Sequence, residues 1–458
     1  MTTSGDMTSA PASALVRALR AREISSRELL DAYLDRIEQV NPAINAVVTI
    51  DAEAARAAAT AADEQIARGQ ELGALHGLPM TVKDALETAG MRTTSGFPDL
   101  AEYVPARDAD AVARLRGQGA AIFGKTNLPT FAMDWQTYNP IFGTTNNQWD
   151  LTRTPGGSSG GPAAAVAAGM TALDMGSDLS GSLRQPAHTT GVFTLKPSFG
   201  VVPGRGHIPG PPGTLSNTDM AVLGPIGRTA DDLDLALDVL AGPDEWSATA
   251  WQLRLPPARG RSLSEYRVGV WLDDSTCPVD SEVLGVLEAA VTQLASAGAR
   301  IDIAARPVDL ADSNALFVNL LMAAVSPGTP DWNQTNERRQ QLRARWQAFF
   351  RSFDVLLTPV SPVAAIAHDH TGDVFSRTIT VNGSARPYVE QGVWTGLAGV
   401  AYLPAAVAPF GRTTGGLPVG VQVIAPYLED RTAIDVARHI ERHLGGFVAP
   451  PTARSGCR

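Results

Sequence analysis

Among 37 basic side chains only three are lysines, Lys83, Lys125 and Lys196, and each stands in an apolar or glycine-flanked stretch. Arginine keeps its proton at any usable pH, whereas a buried lysine can release its own. Codon bias toward arginine would thin out lysine without placing the survivors in apolar surroundings. Each of the three is therefore a candidate base. A base needs a partner to deprotonate, and two serine-bearing segments offer one.

The first is Thr154-Pro155-Gly156-Gly157-Ser158-Ser159-Gly160-Gly161, followed by an alanine-rich run. It is too tightly framed, by proline before and a helix after, for a flexible linker. As a phosphate loop it lacks the Gly-Lys-Ser/Thr ending that supplies the lysine and the magnesium-binding hydroxyl. Gly156–Gly160 matches the letters of a Gly-x-Ser-x-Gly nucleophile elbow, but the preceding Leu-Thr-Arg-Thr-Pro is a poor strand end. A structural turn remains an equal reading of these residues alone.

The second segment runs from Asp174 through Asp178, Ser180, Gly181, Ser182 and Arg184 to Ala187. Small residues around Ser182 allow backbone N–H groups to converge on one point, as a developing oxyanion requires. Asp178 and Arg184 flank the turn with opposite charges and read as an ion-pair clamp. A third segment, His76-Gly-Leu-Pro-Met-Thr-Val-Lys83-Asp84, reads as an apolar strand that delivers Lys83.

The elements that must position these groups follow from periodicity. Ser25 and Glu28 form a capping-box pattern that opens a helix over Ser26–Val40, stopped by Asn41-Pro42, and a second helix spans Asp51–Arg68. Residues 1–70 thus read as helical. Beyond them, short β-branched runs recur at Leu78–Val82, Ala121–Phe123, Val192–Leu195, Val268–Trp271, Ile301–Ile303, Val355–Val360, Ala405–Ala408 and Val419–Ile424. Helical stretches at Asp108–Gly117, Thr229–Leu240, Ser281–Ala297 and Arg431–Leu444 lie between them. This alternation predicts an α/β fold, a large sheet with helices on both faces. No linker divides the chain, so residues 1–458 form a single domain, with a partial helical lid at 316–350 and a flexible tail at 446–458.

Taken together, Lys83, Gly156–Gly161 and Ser182 resemble the amidase signature family. The likeness runs from about Ser25 to Leu444 and includes Gly124-Lys125-Thr126-Asn127, Leu195-Lys196-Pro197 and Leu223–Arg228. The resemblance implies a single mixed β-sheet core and a Ser-Ser-Lys hydrolase. By position, Ser182 matches the nucleophile, Lys83 the base, and Ser158 the serine whose preceding peptide bond is cis. The oxyanion hole falls on Leu179, Ser180 and Gly181, while Lys125 and Lys196 match structural positions. Ser180 departs from the family's usual glycine there.

The resemblance also points to amide-type C–N bonds, with aryl amides and aryl carbamates or esters as substrates. Large apolar residues near the motifs, Phe131, Met133, Trp135, Tyr138, Phe142, Ile208 and Trp394, are expected to wall the substrate pocket. An amidotransferase subunit serving charged tRNA occurs in the same family. Against it, residues 207–213 carry no recognisable glutamine-recognition stretch. A silent binding protein on the same fold is the third reading, made unattractive by an intact triad.

A net charge of −10 speaks against unaided nucleic-acid binding. The N-terminus shows no signal-peptide pattern, and no apolar run reaches the ~20 residues of a membrane span. A cytoplasmic monomer or homodimer acting on a small molecule, with no cofactor and no metal, is the expectation. Cys277 and Cys457 cannot build a disulfide framework, and His368, His370, Asp369 and Asp373 read as a solvated loop.

Overall fold

A computed structural model describes residues 7–208, 210–325 and 332–454. Fifteen strands occur in chain order: β1 (Val47–Ile50), β2 (Pro79–Lys83), β3 (Ala121–Thr126), β4 (Tyr138–Asn139), β5 (Gly143–Thr144), β6 (Asp174–Asp178), β7 (Phe193–Lys196), β8 (Val222–Gly227), β9 (Arg267–Val270), β10 (Arg300–Asp302), β11 (Val355–Pro359), β12 (Thr378–Val381), β13 (Ser384–Pro387), β14 (Ala405–Arg412) and β15 (Pro418–Ile424). Eleven of them form one mixed sheet in the order β1-β3-β2-β6-β8-β7-β14-β15-β11-β9-β10. This sheet draws on residues from 47 to 424, and beside the large cluster that packs on it stand two smaller ones, one of them formed by Val363, Ile379, Val381 and Tyr388 at the β12–β13 hairpin. The α/β class is therefore as the sequence predicts.

Each of the eight apolar runs falls on a strand. Three strands of the main sheet escape the sequence pattern. One of them, β1, places a strand inside the supposedly all-helical first 70 residues, pairing antiparallel with β3. The other two, β6 (Asp-Met-Gly-Ser-Asp) and β8 (Val-Leu-Gly-Pro-Ile-Gly), carry too few β-branched residues to stand out, yet both are fully buried.

The capping box at Ser25 and Glu28 is present. The helix does not stop at Asn41-Pro42 but runs over Ser26–Ile44, with Pro42 in its last turn. Asn41 ends it from within: its Oδ1 accepts from the N–H of Ala46 and of Val47 and turns the chain into β1. The 316–350 excursion is two helices, Leu310–Val325 and Trp332–Ser352. The tail carries a short helix, Pro451–Arg454, and the Thr452 hydroxyl donates to the carbonyl of Gln148. That part of the tail is docked on the body instead of loose. Residues 455–458, Cys457 among them, lie outside the described residues.

Candidate functional site

Strands β2 and β6 are parallel neighbours, with Thr81 opposite Asp174 and Val82 opposite Met175. Lys83 closes β2 and Asp178 closes β6, so both end at the same edge of the sheet, where α/β proteins place their sites. Between them enters the helix Gly160–Ala167, every residue of which is buried. Its alanines and glycines permit this depth. A Cβ on Gly157 would meet the backbone of residues 134–136 at 2.6–2.7 Å, so no larger residue fits that turn.

Lys83 has no solvent contact. Its Nζ donates to Ser158 Oγ at 2.6 Å, and to Ser159 Oγ and Ser177 Oγ at 3.0 Å each. The peptide bond Gly157–Ser158 is cis. Burial holds the Lys83 ammonium down to about 7, against the upward pull of Asp178 and Asp174. The site also opens a helix N-terminus, whose partial positive charge disfavours a cation. Ser159 and Ser177 were not singled out by the sequence, although both lie inside the quoted motifs.

Ser182 begins the chain's return, 6% exposed, and its carbonyl accepts from the Ser159 N–H at 3.0 Å. Gly181 has φ +109°, and a Cβ there would strike Thr395. The clamp forms as expected: Arg184 Nη2 and Nε bond Asp178 at 2.7 and 3.0 Å, both side chains fully buried. Burial alone would raise the Asp178 carboxyl, but Arg184, helped by Lys196 and the Leu183 N–H, outweighs it and holds the group at about 2. Arg184 Nη1 also donates to the Thr395 carbonyl and to Gln422 Oε1, tying the turn to β15.

Asp178 amends the expected oxyanion hole. Its Oδ1 takes the Gly181 N–H at 2.9 Å, so Gly181 has no N–H to offer a substrate. The N–H groups of Leu179, Ser180 and Ser182 are the donors left at this turn. Two groups aim it by gripping the Ser180 carbonyl: the Trp135 indole N–H at 3.1 Å and the Thr395 hydroxyl at 3.0 Å. Thr395 carried no sequence signal, because it lies more than 200 residues away.

The other pocket residues scatter. Met133 is 60% exposed. The Tyr138 ring stacks on His370 at 3.8 Å, Phe131 lies on Phe97, and Phe142 lies under Arg92. Ile208 is buried, its N–H bonded to the Ala85 carbonyl just past Lys83. Trp394 is no pocket wall. It is wholly buried, donates to the Cys277 carbonyl and packs edge-on against Trp271. Nor is the loop around His368 and His370 simply solvated. The Gln136 side chain pairs both ways with the Asp369 backbone, and Arg377 bonds Asp134, which folds the loop over residues 134–138.

Lys125 and Lys196 are also buried. Lys125 is held by the Leu86 carbonyl and the hydroxyls of Thr88 and Thr93, and Lys196 by the Pro197 carbonyl. Among the described residues no three His, Cys, Asp or Glu side chains are grouped to hold a metal ion. No described helix is long and apolar enough to cross a membrane.

The helix Leu310–Val325 stands behind this site. A Cβ on Gly396 would meet the Phe317 ring, and one on Gly399 would lie between Phe317 and the Leu179 carbonyl. The helix Val393–Val400 is thus sandwiched between the excursion and the turn it backs.

The sequence profile of the family described as Amidase matches residues 28–329 and 318–434. A glutamyl-tRNA(Gln) amidotransferase subunit of Synechococcus sp. (strain CC9605) is 33% identical, over 96% of this chain and 98% of its own. A bacterial aryl acylamidase of the amidase signature family superposes with a TM-score of 0.79 at 25% identity, covering 95% of this chain and 96% of that one. A chain from a vestigial protein complex, tied to the origins of an s-triazine catabolic enzyme, gives a TM-score of 0.82 at 28% identity, over 96% and 100%.

Proposed function

The chain belongs to the amidase family of enzymes acting on C–N bonds, and on that premise we propose that it hydrolyses aryl amides and aryl carbamates through an acyl-enzyme on Ser182. The observation that carries this reading is the 2.6 Å hydrogen bond from Lys83 Nζ to Ser158 Oγ in a solvent-free niche beside Ser182.

A serine hydroxyl is a weak nucleophile until a base takes its proton. Neutral Lys83 accepts the proton of Ser158 as Ser158 accepts that of Ser182, whose oxygen then attacks the carbonyl carbon. The carbonyl π-pair moves onto oxygen, and N–H groups of the Leu179–Ser182 turn receive that charge. When the pair returns, the C–N bond breaks and the nitrogen leaves with a proton passed back from the lysine through Ser158. Water repeats the sequence on the acyl-enzyme and restores the serine.

An amide and a carbamate develop the same charge on the same oxygen, so one hole serves both. Aniline-type groups depart more readily than alkylamines, and the rim near Ser180 offers the flat indole of Trp135 beside exposed Met133. Side-by-side kcat/KM values for an anilide, an N-phenyl carbamate, acetamide and malonamide test the substrate class. The two aryl compounds are expected to lead. A clear preference for the small aliphatic amides would remove the aryl reading and leave the triad standing.

The identity to an amidotransferase subunit favours a second reading, ammonia release for transamidation with partner subunits. Residues 207–213, His-Ile-Pro-Gly-Pro-Pro-Gly, offer no recognisable glutamine-recognition stretch, and the net charge of −10 discourages tRNA contact. Turnover of the anilide by the purified chain alone supports hydrolysis. Turnover that appears only with glutamine and partner subunits supports the alternative, and none under either condition would indicate a binding protein.

A further inference from the structure

Three strands meet at a carboxyl group that the mechanism above does not use. Asp174 opens β6 beside Thr81, two residues before Lys83, and side chains two apart on a strand share a face. The Thr81 hydroxyl donates to Asp174 Oδ2 at 2.5 Å. Thr126, which sits opposite Lys83 in β3, donates to the same oxygen at 3.1 Å. Asp174 is fully buried, and its Oδ1 has no partner among the described residues.

We propose that Asp174 is a positioning residue that sets the proton affinity of Lys83 across the sheet, and with it the pH range in which the enzyme works. The proposal rests on the reading of Lys83 as the base. Two carboxyl groups act on Lys83, those of Asp178 and Asp174. Asp178 exerts the larger pull and is held by its bidentate bond to Arg184, whereas among the described residues no cation is hydrogen-bonded to Asp174. Two further titratable groups stand near the pair. Lys125 of β3 bonds the turn after Asp84, yet its charge also draws the Asp174 carboxyl down and is itself favoured by it, and the His207 imidazole, on the loop bridged to Leu86, lies close enough to feel the charge of Lys83.

Burial pushes the Asp174 carboxyl up to about 7, the same range into which burial brings Lys83 down. Burial thus favours the neutral form of both groups, and each ionises more readily when the other is charged. When Lys83 takes a proton during attack, an ionised Asp174 stabilises the ammonium that forms. Removing the carboxyl leaves a base that is neutral at lower pH but weaker.

Having only three lysines makes the test direct, because lysine labelled with 13C at Cε gives three signals to titrate. Loss of one signal in Lys83→Met identifies Lys83. In Asp174→Asn the Lys83 midpoint is expected to fall by at least ~0.5 pH unit, and the acid limb of kcat/KM to move with it. Activity at pH 7, as a fraction of the plateau, then rises about 1.5-fold while the plateau itself falls. Thr126→Val, which keeps shape and removes one donor to the carboxylate, is expected to shift the midpoint less and in the same direction, and decides the matter if Asp174→Asn does not fold. An unmoved Lys83 midpoint in the folded variants overturns the proposal, even if the plateau or the melting temperature drops. Full turnover by Lys83→Met would instead overturn the base assignment, a result the Lys83 signal does not influence.

Discussion

Lys83 and Lys125 leave adjacent parallel strands one residue out of step, Val82 pairing with Lys125 and Lys83 with Thr126. Neither touches solvent, and burial lowers both, Lys83 to about 7 and Lys125 to about 8. What separates them is the company they keep. Lys125 spends its protons on a carbonyl and two threonines of one local turn, 86–93, with Asp84 nearby. Lys83 spends its own on three serines from two distant segments, one of them backed by the Ser182 turn. The hydroxyls that hold Lys125 pass their own protons to carbonyls of the same turn, whereas Ser158, which holds Lys83, adjoins the segment bonded to the Ser182 turn, the difference expected between a strut and a base.

The sharpest way to break this comparison is to delete each lysine in turn. Lys83→Ala and Ser182→Ala are expected to lower kcat/KM by at least ~10³-fold in a folded protein. Lys125→Met should instead lower stability by roughly 3 kcal/mol, because it strips a cation from the surroundings of buried Asp84, while the folded fraction keeps its rate within about tenfold. Urea denaturation followed by kinetics on the folded protein reads both. A silent Lys125→Met protein with intact stability would reverse the two assignments.

The pH dependence sharpens it further. A lysine whose folded value lies below its unfolded value leaves the unfolded chain holding the extra proton between the two. Stability therefore rises with pH in that window, by about 1.4 kcal/mol per unit for each such group. The window opens at about pH 7 for Lys83 and about pH 8 for Lys125. Lys83→Met should flatten the stability slope from pH 7 upward, and Lys125→Met only from pH 8. The rate should climb through pH 7 as Lys83 loses its proton, insensitive to chelators. A common onset in both variants would erase the distinction.

The smallest expected effect lies at the outlet of the Lys83 cluster. Ser180 has its carbonyl pinned by Trp135 and Thr395, which leaves its N–H and its hydroxymethyl free to face a bound acyl group. Ser180→Gly should alter the ratio of rates for bulky and small acyl groups by about three- to tenfold, with little change in melting temperature. Equal changes across an acyl series would make Ser180 purely structural.

The sequence made the candidate site segments legible because each is short and chemically odd: a lysine in an apolar strand, a doubled serine among glycines, a serine between an acid and an arginine. It carried eight of the eleven strands of the main sheet through their apolar, β-branched runs. Strands β6 and β8 were illegible as strands because glycine, proline and aspartate dominate them, and only a sheet burying both faces makes such residues strand-like. The pocket was poorly legible for a different reason. Trp394 and Trp135 look alike in sequence, but one fills the core against Trp271 and the other reaches the Ser180 carbonyl. Nothing local tells an aromatic ring which way the chain will turn it.

The pairing of Gln136 with Asp369 joins segments 233 positions apart in the chain. Together with Arg377 on Asp134 and His370 on Tyr138, it makes one rim from two separately encoded loops. The Ser182 turn is fastened to the sheet through Arg184 and Gln422, whereas this rim hangs on side-chain contacts between loops. Directed evolution toward new leaving groups should accordingly collect its changes in paired positions, one near 133–138 and its counterpart near 368–377. A library that randomises both loops at once should yield altered substrate ranges that neither loop reaches when varied alone.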